Sequence, residues 1–194
     1  MAIQGNQVKK HLFLDERVID SKGYRQNVGI VLCHSDGRLF WARRTGMDSW
    51  QFPQGGIREH EDPEDAMFRE MYEEIGLTAD HVEVIGRTQN WLHYDLPERY
   101  IRKHSYPVCI GQKQIWFILK MKSSECCVRF DCSDKPEFDG WCWVDYWLPV
   151  DEVVFFKRDV YRKALSELGE MLLSDTVPVS PEGYLSQAFV PVLR

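Results

Sequence analysis

The sequence predicts one layered domain of the α/β or α+β class, because strand-like and helix-like segments follow one another along most of its length. Short runs rich in β-branched and aromatic residues occur between residues 27 and 144. Two longer stretches instead place apolar residues at helical spacing. The 194 residues and the hydrophobic fraction of 44% suffice for one domain with a substantial core.

The strand pattern is found in five segments: 27–34, 38–44, 82–89, 113–121 and 140–144. The first two flank Asp36-Gly37, a dipeptide typical of tight turns, and therefore predict a β-hairpin. In the last segment, Trp141 and Trp143 alternate with Cys142 and Val144. Because all four side chains are apolar, this segment predicts a strand that is covered on both faces.

Two segments predict helices, from about residue 63 to 75 and from about residue 157 to 173. The second has an apolar stripe that consists of Val160, Ala164, Leu165, Leu168, Met171 and Leu172. Residues 174–194 contain Pro178, Pro181 and Pro191, and they predict an irregular tail.

The composition disfavours several classes of protein. No apolar run approaches the roughly 20 residues that a transmembrane helix requires. Leu12, Phe13 and Leu14 are too short a run for a secretory signal, so we expect a cytoplasmic protein. The net charge of −6 disfavours loose binding of long nucleic acid, but it does not exclude binding of one polyphosphate end.

The six cysteines are spaced without a C-x-x-C pair, which disfavours a disulfide framework. We interpret them as reduced, partly buried thiols. A zinc site around Cys126, Cys127 and Cys132 stays open as an alternative, although no histidine follows these residues at ligand spacing.

The first predicted helix contains the residues that indicate a chemical function. Asp62 is suited to its N-cap and Pro63 to its first position, while Gly76 predicts a left-handed cap at its end. At 100° per residue one side of this helix is apolar and predicts packing against the core: Met67, Phe68, Met71, Tyr72 and Ile75.

Another side of the same helix is acidic, because Glu70, Glu73 and Glu74 stand at positions i, i+3 and i+4, with Ala66 beside them. Like charges at this spacing repel one another, and Arg69 can reach Glu73 but cannot neutralise all three. Bound Mg²⁺ or Mn²⁺ would relieve the repulsion, because hard cations prefer carboxylate oxygens. A solvated acidic face without a metal is the alternative that the spacing leaves open.

The segment GGIREHEDPEDAMFREMYEEIGL, which begins at Gly55, resembles the Nudix box at every fixed position. Its fixed positions are Gly55, Glu61, Arg69, Glu70, Glu73, Glu74 and Gly76, with Met71 in the aliphatic position and Leu77 at the end. The resemblance implies a Nudix fold, which is a mixed β-sheet between helices, and a pyrophosphohydrolase that depends on a divalent cation.

Segments outside the box resemble the bacterial RNA pyrophosphohydrolases within this family. They include GYRQNVGIVL (23–32), SWQFPQGGI (49–57), NWLHYDLP (90–97), PVCIGQKQIWF (107–117), PEFDGW (136–141) and FKRDVYRK (156–163). Such enzymes convert a 5′-triphosphorylated or 5′-diphosphorylated RNA end to a monophosphate, which exposes the transcript to decay. The resemblance covers about residues 18–170, and so implies a Nudix domain at 18–173.

The resemblance also implies roles for single residues. It makes Glu70, Glu73, Glu74 and Arg69 the catalytic set, with Glu70 as general base, and it adds Glu137 and Gly55 to the three glutamates at the metal. The implied substrate-binding residues are Arg25 and Lys157 at the 5′ phosphates, and Arg44, Ser49 and Phe156 at the first nucleotides. Arg25 and Lys157 as surface charges, and Phe156 as a core residue, remain open alternatives.

The sequence departs from the family pattern at two places. Gln26 replaces the usual proline beside Arg25, which leaves the backbone there less constrained. Val18-Ile19-Asp20 stands where the family begins with Met-Ile-Asp, so we expect residues 1–17 to be a dispensable extension.

Three rival functions are compatible with parts of the pattern. A hydrolase of dinucleoside polyphosphates such as diadenosine tetraphosphate would use the same helix, because its substrate presents a polyphosphate to the same ions. A non-catalytic binder of RNA ends would be expected to lose carboxylates from the helix, and this sequence retains them. A hydrolase that clears the nucleotide pool would share the box but not the flanking segments.

Overall fold

The computed structural model describes residues 18–172. The strands are β1 (Tyr24–Cys33), β2 (Leu39–Arg44), β3 (Trp50–Gln51), β4 (Gln54–Gly56), β5 (Val82–Arg87), β6 (Leu92–Asp95), β7 (Gly111–Met121) and β8 (Phe138–Val144). The helices are α1 (Pro63–Ile75), α2 (Leu148–Glu152) and α3 (Arg158–Leu172). This mixture of strands and helices confirms the predicted fold class.

The eight strands form one mixed sheet around β1 and β7. These two strands run parallel and pair along their length, from Tyr24 opposite Gly111 to Cys33 opposite Lys120. The short strand β4 pairs antiparallel with β1, while β5 and β6 pair antiparallel with β7. On the other side, β2 pairs antiparallel with β3 and β8.

The predicted hairpin between β1 and β2 is confirmed at its turn but not along its strands. His34 N donates to Arg38 O at 2.8 Å around Asp36-Gly37. The ladder beyond the turn consists of one pair, Cys33 opposite Leu39. The strands separate there because β1 pairs with β7 and β4, whereas β2 pairs with β8.

Alternate side chains of the central strands supply two separate hydrophobic cores. In β1, Val31 and Cys33 face the core that contains α3, whereas Ile30 and Leu32 face the core that contains α1. The helices therefore cover opposite faces of the sheet, as the family resemblance implies. The prediction that β8 is covered on both faces is confirmed: Cys142 and Val144 lie in the α3 core, while Trp141 and Trp143 pack against the α1 core.

Helix α1 has the predicted bounds and caps. The Asp62 carboxylate accepts a hydrogen bond from Glu64 N at 2.8 Å, and Gly76 ends the helix at φ 72°. The predicted inward packing of Tyr72 is wrong, because its side chain is 44% exposed at the edge of the apolar side. Ala66, which we placed on the acidic face, is instead fully buried in the core.

Helix α3 begins one residue later than predicted, because a short 3₁₀ turn occupies Phe155–Lys157. Its predicted stripe is buried from Val160 to Leu168, and Met171 and Leu172 pack partly against the same core. Short elements were missed altogether, namely α2, β4 and β6, since three to five residues are too few to show a periodicity.

None of the helices within residues 18–172 is long and apolar enough to cross a membrane. The predicted dispensable extension (1–17), the tail (174–194) and the last residue of the predicted second helix, Leu173, lie outside the described residues.

Candidate active site

An open cleft of about 1180 Å³ lies where β4, the start of β1, the end of β2 and the turn before α3 meet. It is lined by every residue that we assigned to catalysis, metal binding or substrate binding: Arg25, Arg44, Ser49, Gly55, Arg69, Glu70, Glu73, Glu74, Glu137, Phe156 and Lys157. Two other box residues, Glu61 and Gly76, are not among its lining residues, and both have structural contacts instead.

Gly55 lies directly against the carboxylate of Glu70. A Cβ atom at this position of β4 would overlap the Glu70 carboxylate, so only glycine leaves room for it. Burial raises the pKa of Glu70, and the charge of Arg69 only partly opposes this effect. The sheet and helix therefore hold a carboxylate of increased basicity in the cleft.

Arg69 joins the catalytic helix to the loop that precedes it. Its guanidinium contacts both carboxylate oxygens of Glu61 at 2.7 and 2.8 Å and donates to Gly56 O at 2.8 Å. A further nitrogen donates to Glu70 Oε1 at 2.6 Å, which fixes one of the two carboxylate oxygens. The contact with Glu61 lowers the pKa of that carboxyl group, because the ion pair favours its charged form.

Glu73 and Glu74 lie on the same helix as Glu70, but they differ in burial and in their hydrogen-bond partners. Glu74 Oε2 accepts a hydrogen bond from Gln54 N at 2.9 Å, and burial together with the charge of Glu70 raises its pKa well above the usual value. Glu73 is more exposed and lies 3.4 Å from a guanidinium nitrogen of Arg58. The cleft thus contains two buried carboxyl groups whose negative charges oppose each other.

A divalent cation fits this set of donors. A cation beside Glu70 and Glu74 would favour their charged forms and so oppose the burial that raises both pKa values. Within residues 18–172, no three histidine, cysteine, aspartate or glutamate side chains form a group that could hold a metal ion. Mg²⁺ commonly needs only one or two protein carboxylates, since water and substrate phosphates complete its coordination shell.

The alternative zinc site is not supported. Within residues 18–172, Cys126, Cys127 and Cys132 do not form a group that could hold a metal ion. Cys132 Sγ instead accepts a hydrogen bond from the Arg129 guanidinium at 3.3 Å.

Lys157 lines the same cleft as the glutamates and is buried, with 7% of its surface exposed. Its ammonium group lies 3.4 Å from Gln51 Oε1 and 3.3 Å from Gln54 Oε1, and 5.7 Å from the centre of the Tyr94 ring. Burial and, secondarily, the charge of Arg44 lower the pKa of Lys157 to about 8. The charges of Glu137 and Glu74 oppose this shift only in part, and a buried cation in this setting is suited to an anionic ligand. The surface-charge alternative for this residue is wrong.

Arg44 and Glu137 form an ion pair at the rim of the cleft, with 2.7 Å between Nη2 and Oε1. The loop that carries Glu137 is fixed to β2, because Thr45 N donates to Glu137 O and Arg43 binds Asp139 at 2.7 Å. Ser49 Oγ is buried nearby and has no hydrogen-bond partner among the described residues, which leaves it available to a ligand.

The substitution of glutamine for the usual proline beside Arg25 has a structural consequence. Gln26 N donates to Val18 O at 2.9 Å, and Gln26 O accepts from Ile57 N at 3.0 Å. A proline could not make the first bond, because it lacks an N–H group. The strand that presents Arg25 to the cleft is therefore held by two backbone hydrogen bonds at this residue.

Several polar residues of the cleft were missed by the sequence analysis. The Gln112 side-chain oxygen accepts from Asn27 Nδ2 at 3.2 Å and from the Tyr94 hydroxyl at 2.7 Å, and Gln54 lies between Lys157 and Gln114. Gln112 and Gln114, at alternate positions of GQKQ, were a usable signal. Polar side chains that recur within strands otherwise rich in apolar residues indicate a site rather than a core.

The comparison with protein-family models matches a NUDIX domain to residues 23–168 of this chain. The chain belongs to the Nudix family. Curated Nudix relatives are the RNA pyrophosphohydrolase of Methylococcus capsulatus (63% identical, covering 80% of this chain and 81% of the relative) and that of Thioalkalivibrio sulfidiphilus (60% identical, covering 83% and 93%). Members of the Nudix family generally use divalent metal cations.

Solved structures support the Nudix fold alone, because their sequences are distant. The dihydroneopterin triphosphate pyrophosphohydrolase of E. coli has a TM-score of 0.56 at 19% identity, and the match covers 71% of this chain and 92% of that one. An Ap4A hydrolase of C. elegans has a TM-score of 0.55 at 15% identity, with coverage of 76% and 96%.

Proposed function

We propose that this Nudix hydrolase converts the 5′-triphosphorylated or 5′-diphosphorylated end of RNA to a 5′-monophosphate. The observation that carries the proposal is the composition of one open cleft, which is lined both by carboxylates and by a buried lysine. The identity of 55–63% to relatives named RNA pyrophosphohydrolase supports RNA as the substrate.

The basic side chains of Lys157 and Arg25 bind and orient the 5′ phosphates. Lys157 provides a charge that is already desolvated and held by two glutamine side chains, so its attraction to a phosphate is little screened by water. Arg25 lines the same cleft and reaches it from β1. Arg44, Ser49 and Phe156 receive the first nucleotides, through a guanidinium, a hydroxyl and an aromatic ring.

The glutamates perform the proton transfer and hold the metal. Glu70 is the general base that accepts a proton from the attacking water, and Arg69 keeps its carboxylate in place through the contact at 2.6 Å. Glu70, Glu73, Glu74 and Glu137, with the backbone at Gly55, would hold Mg²⁺ or Mn²⁺. Such a cation, when bound, lowers the pKa of water and offsets phosphate charge.

Product analysis tests the proposal. We expect purified protein with Mg²⁺ to release γ-label from triphosphorylated RNA, as pyrophosphate or as successive phosphates, and to leave α-label on a monophosphorylated RNA. Absence of label release with Mg²⁺ and with Mn²⁺ would contradict it. Specificity constants measured in parallel on diadenosine tetraphosphate separate the RNA function from the rival one, because a larger constant on the dinucleotide would make RNA the secondary substrate.

Substitutions of the catalytic glutamates provide the second test. We expect Glu70→Gln and Glu73→Gln to abolish label release while the far-ultraviolet circular dichroism stays unchanged, because each removes a negative charge and little volume. Glu83→Gln, on an exposed position of β5, is the matched control. Turnover by Glu70→Gln near the unmodified rate at saturating Mg²⁺ would refute the assignment of the base.

A further inference from the structure

We infer that Tyr100, supported by Arg99, binds an RNA nucleotide downstream of those held in the cleft; the inference rests on the proposed function. The residue belongs to the loop 96–110 between β6 and β7, whose two ends are joined by Leu96 N donating to Ile110 O at 2.8 Å. This loop brings Tyr100 to the wall of the cleft, where it is one of the lining residues.

Three aromatic rings form a row from the cleft floor to its rim, and we refer to Tyr94, Phe156 and Tyr100 as the ring row. The ring centres of Tyr94 and Phe156 are 5.8 Å apart, and those of Phe156 and Tyr100 are 5.6 Å apart. Tyr94 is 6% exposed, Phe156 is half-buried and Tyr100 is 49% exposed. The row therefore leads from the phosphate-binding end of the cleft out to solvent.

A cation lies over each end of the ring row. Lys157 Nζ is 5.7 Å from the centre of the Tyr94 ring, and the Arg99 guanidinium carbon is 5.0 Å from the centre of the Tyr100 ring. At the outer end, Arg99 and Arg102 make no ion pair with any carboxylate of residues 18–172, whereas Lys103 binds Glu98 at 2.6 Å. The rim beside Tyr100 is thus positively charged in a protein whose net charge is −6.

This arrangement fits single-stranded RNA better than a protein surface. Successive bases stack on exposed aromatic rings, and arginines beside the rings contact the phosphates between those bases. With Arg44 and Ser49 at the first nucleotide and Phe156 stacked on the second, a strand that continues towards solvent meets Tyr100 with its third nucleotide. A dinucleotide would not reach this ring, but a longer RNA would.

Steady-state kinetics on two triphosphorylated RNAs with the same 5′ sequence, of two and eight nucleotides, test the inference. We expect Tyr100→Ala to raise the KM for the octamer by about fivefold or more, since the loss of one stacked base has that order of effect. We expect kcat, and both constants for the dinucleotide, to stay unchanged. Tyr100→Phe, which retains the ring, should behave as the unmodified protein.

Two further variants complete the experiment. Tyr72→Ala is the matched control, because that tyrosine is similarly exposed at 44% but lies outside the cleft lining. Arg99→Ala should raise the KM for the octamer more at low salt than at high salt. An equal loss on both RNAs, or none on the octamer, would overturn the inference. If the unmodified protein cleaves neither RNA, the proposed function fails instead.

Discussion

Gly55 limits where the carboxylate of Glu70, the proposed general base, can lie. The Glu70 carboxylate occupies the volume that any other side chain at residue 55 would need. The clash involves the end of a flexible side chain, so the fold can accommodate a methyl group by displacing the carboxylate. Under the proposed mechanism, activity depends on the position of this carboxylate far more than stability does.

We therefore expect Gly55→Ala to lower kcat by about 100-fold or more, because a displacement of about 1 Å at a reacting group has that order of effect. The free energy of unfolding should fall by only about 1 kcal/mol. Gly140→Ala is the matched control, since its Cβ would meet Arg43 at an ordinary 3.6 Å. A loss of activity that merely parallels the loss of folded protein would contradict the prediction.

Lys157 gives the site a dependence on pH. Its pKa of about 8 means that the ammonium form dominates below pH 8 and is lost as the pH rises through that value. Because the proposed binding of phosphate by Lys157 needs the charged form, we expect kcat/KM to decline above about pH 8 in the unmodified protein. Lys157→Arg stays charged throughout this range, so its profile should lack the decline even if its overall activity is lower. An identical alkaline decline in both proteins would assign it to another group.

At the level of residues, the sequence predicted which side chains belong to the site better than it predicted the contacts that these side chains make. Fixed spacing identified Glu70, Glu73 and Glu74, because a helix places such positions on one side whatever surrounds it. The same reasoning could not distinguish the exposed Tyr72 from the buried Ala66, since the edge of a helix face depends on what packs against it. Nor could it find Gln54, whose role arises from contact with residues about 60 and 100 positions later.

At the level of elements, Arg69 connects β4, the loop after it and α1. It contacts Glu61, Gly56 O and Glu70 at once, and its side chain is only 17% exposed. Its removal would leave two partly buried carboxylates without their cation.

We expect Arg69→Ala to lower the free energy of unfolding by about 2–3 kcal/mol in urea denaturation, since breaking a largely buried ion pair has that order of cost. Arg38→Ala removes an ion pair with Asp36 whose two side chains are about half exposed, and it should cost only about 0–1 kcal/mol. Equal costs for the two variants would show that Arg69 does not hold these elements together.

The sequence predicted the presence of the longer elements but not their partners. Helix α1 was located at both ends, because its caps act within a few residues. The hairpin was predicted from Asp36-Gly37, a local signal that fixes a turn and not the strands beyond it. The pairing of β1 with β7 places Asn27 opposite Gln114. This choice of partner strand depends on the whole sheet, so no short sequence pattern predicts it.

At the level of the molecule, the predicted domain boundaries can be tested directly. The family match covers residues 23–168, and the described structure already contains both cores and the whole cleft. We expect a fragment of residues 18–173 to keep its Tm within about 2 °C of the full chain, which corresponds to a change of well under 1 kcal/mol. Its kcat/KM on triphosphorylated RNA should equal that of the full chain. A fragment that is folded but inactive would place a functional segment outside 18–173.

The parallel pairing of β1 with β7 also sets the order in which the molecule can form during synthesis. Residues 24–33 must await residues 111–120, which at roughly 5–20 residues per second takes on the order of ten seconds. Throughout this interval the apolar β1 lacks its principal neighbour and is exposed to association with other chains. Because Lys157 leaves the ribosome later still, a nascent chain that already carries the complete glutamate helix lacks the buried cation proposed to bind the 5′ phosphates, so we expect it not to act on the transcript from which it is being translated.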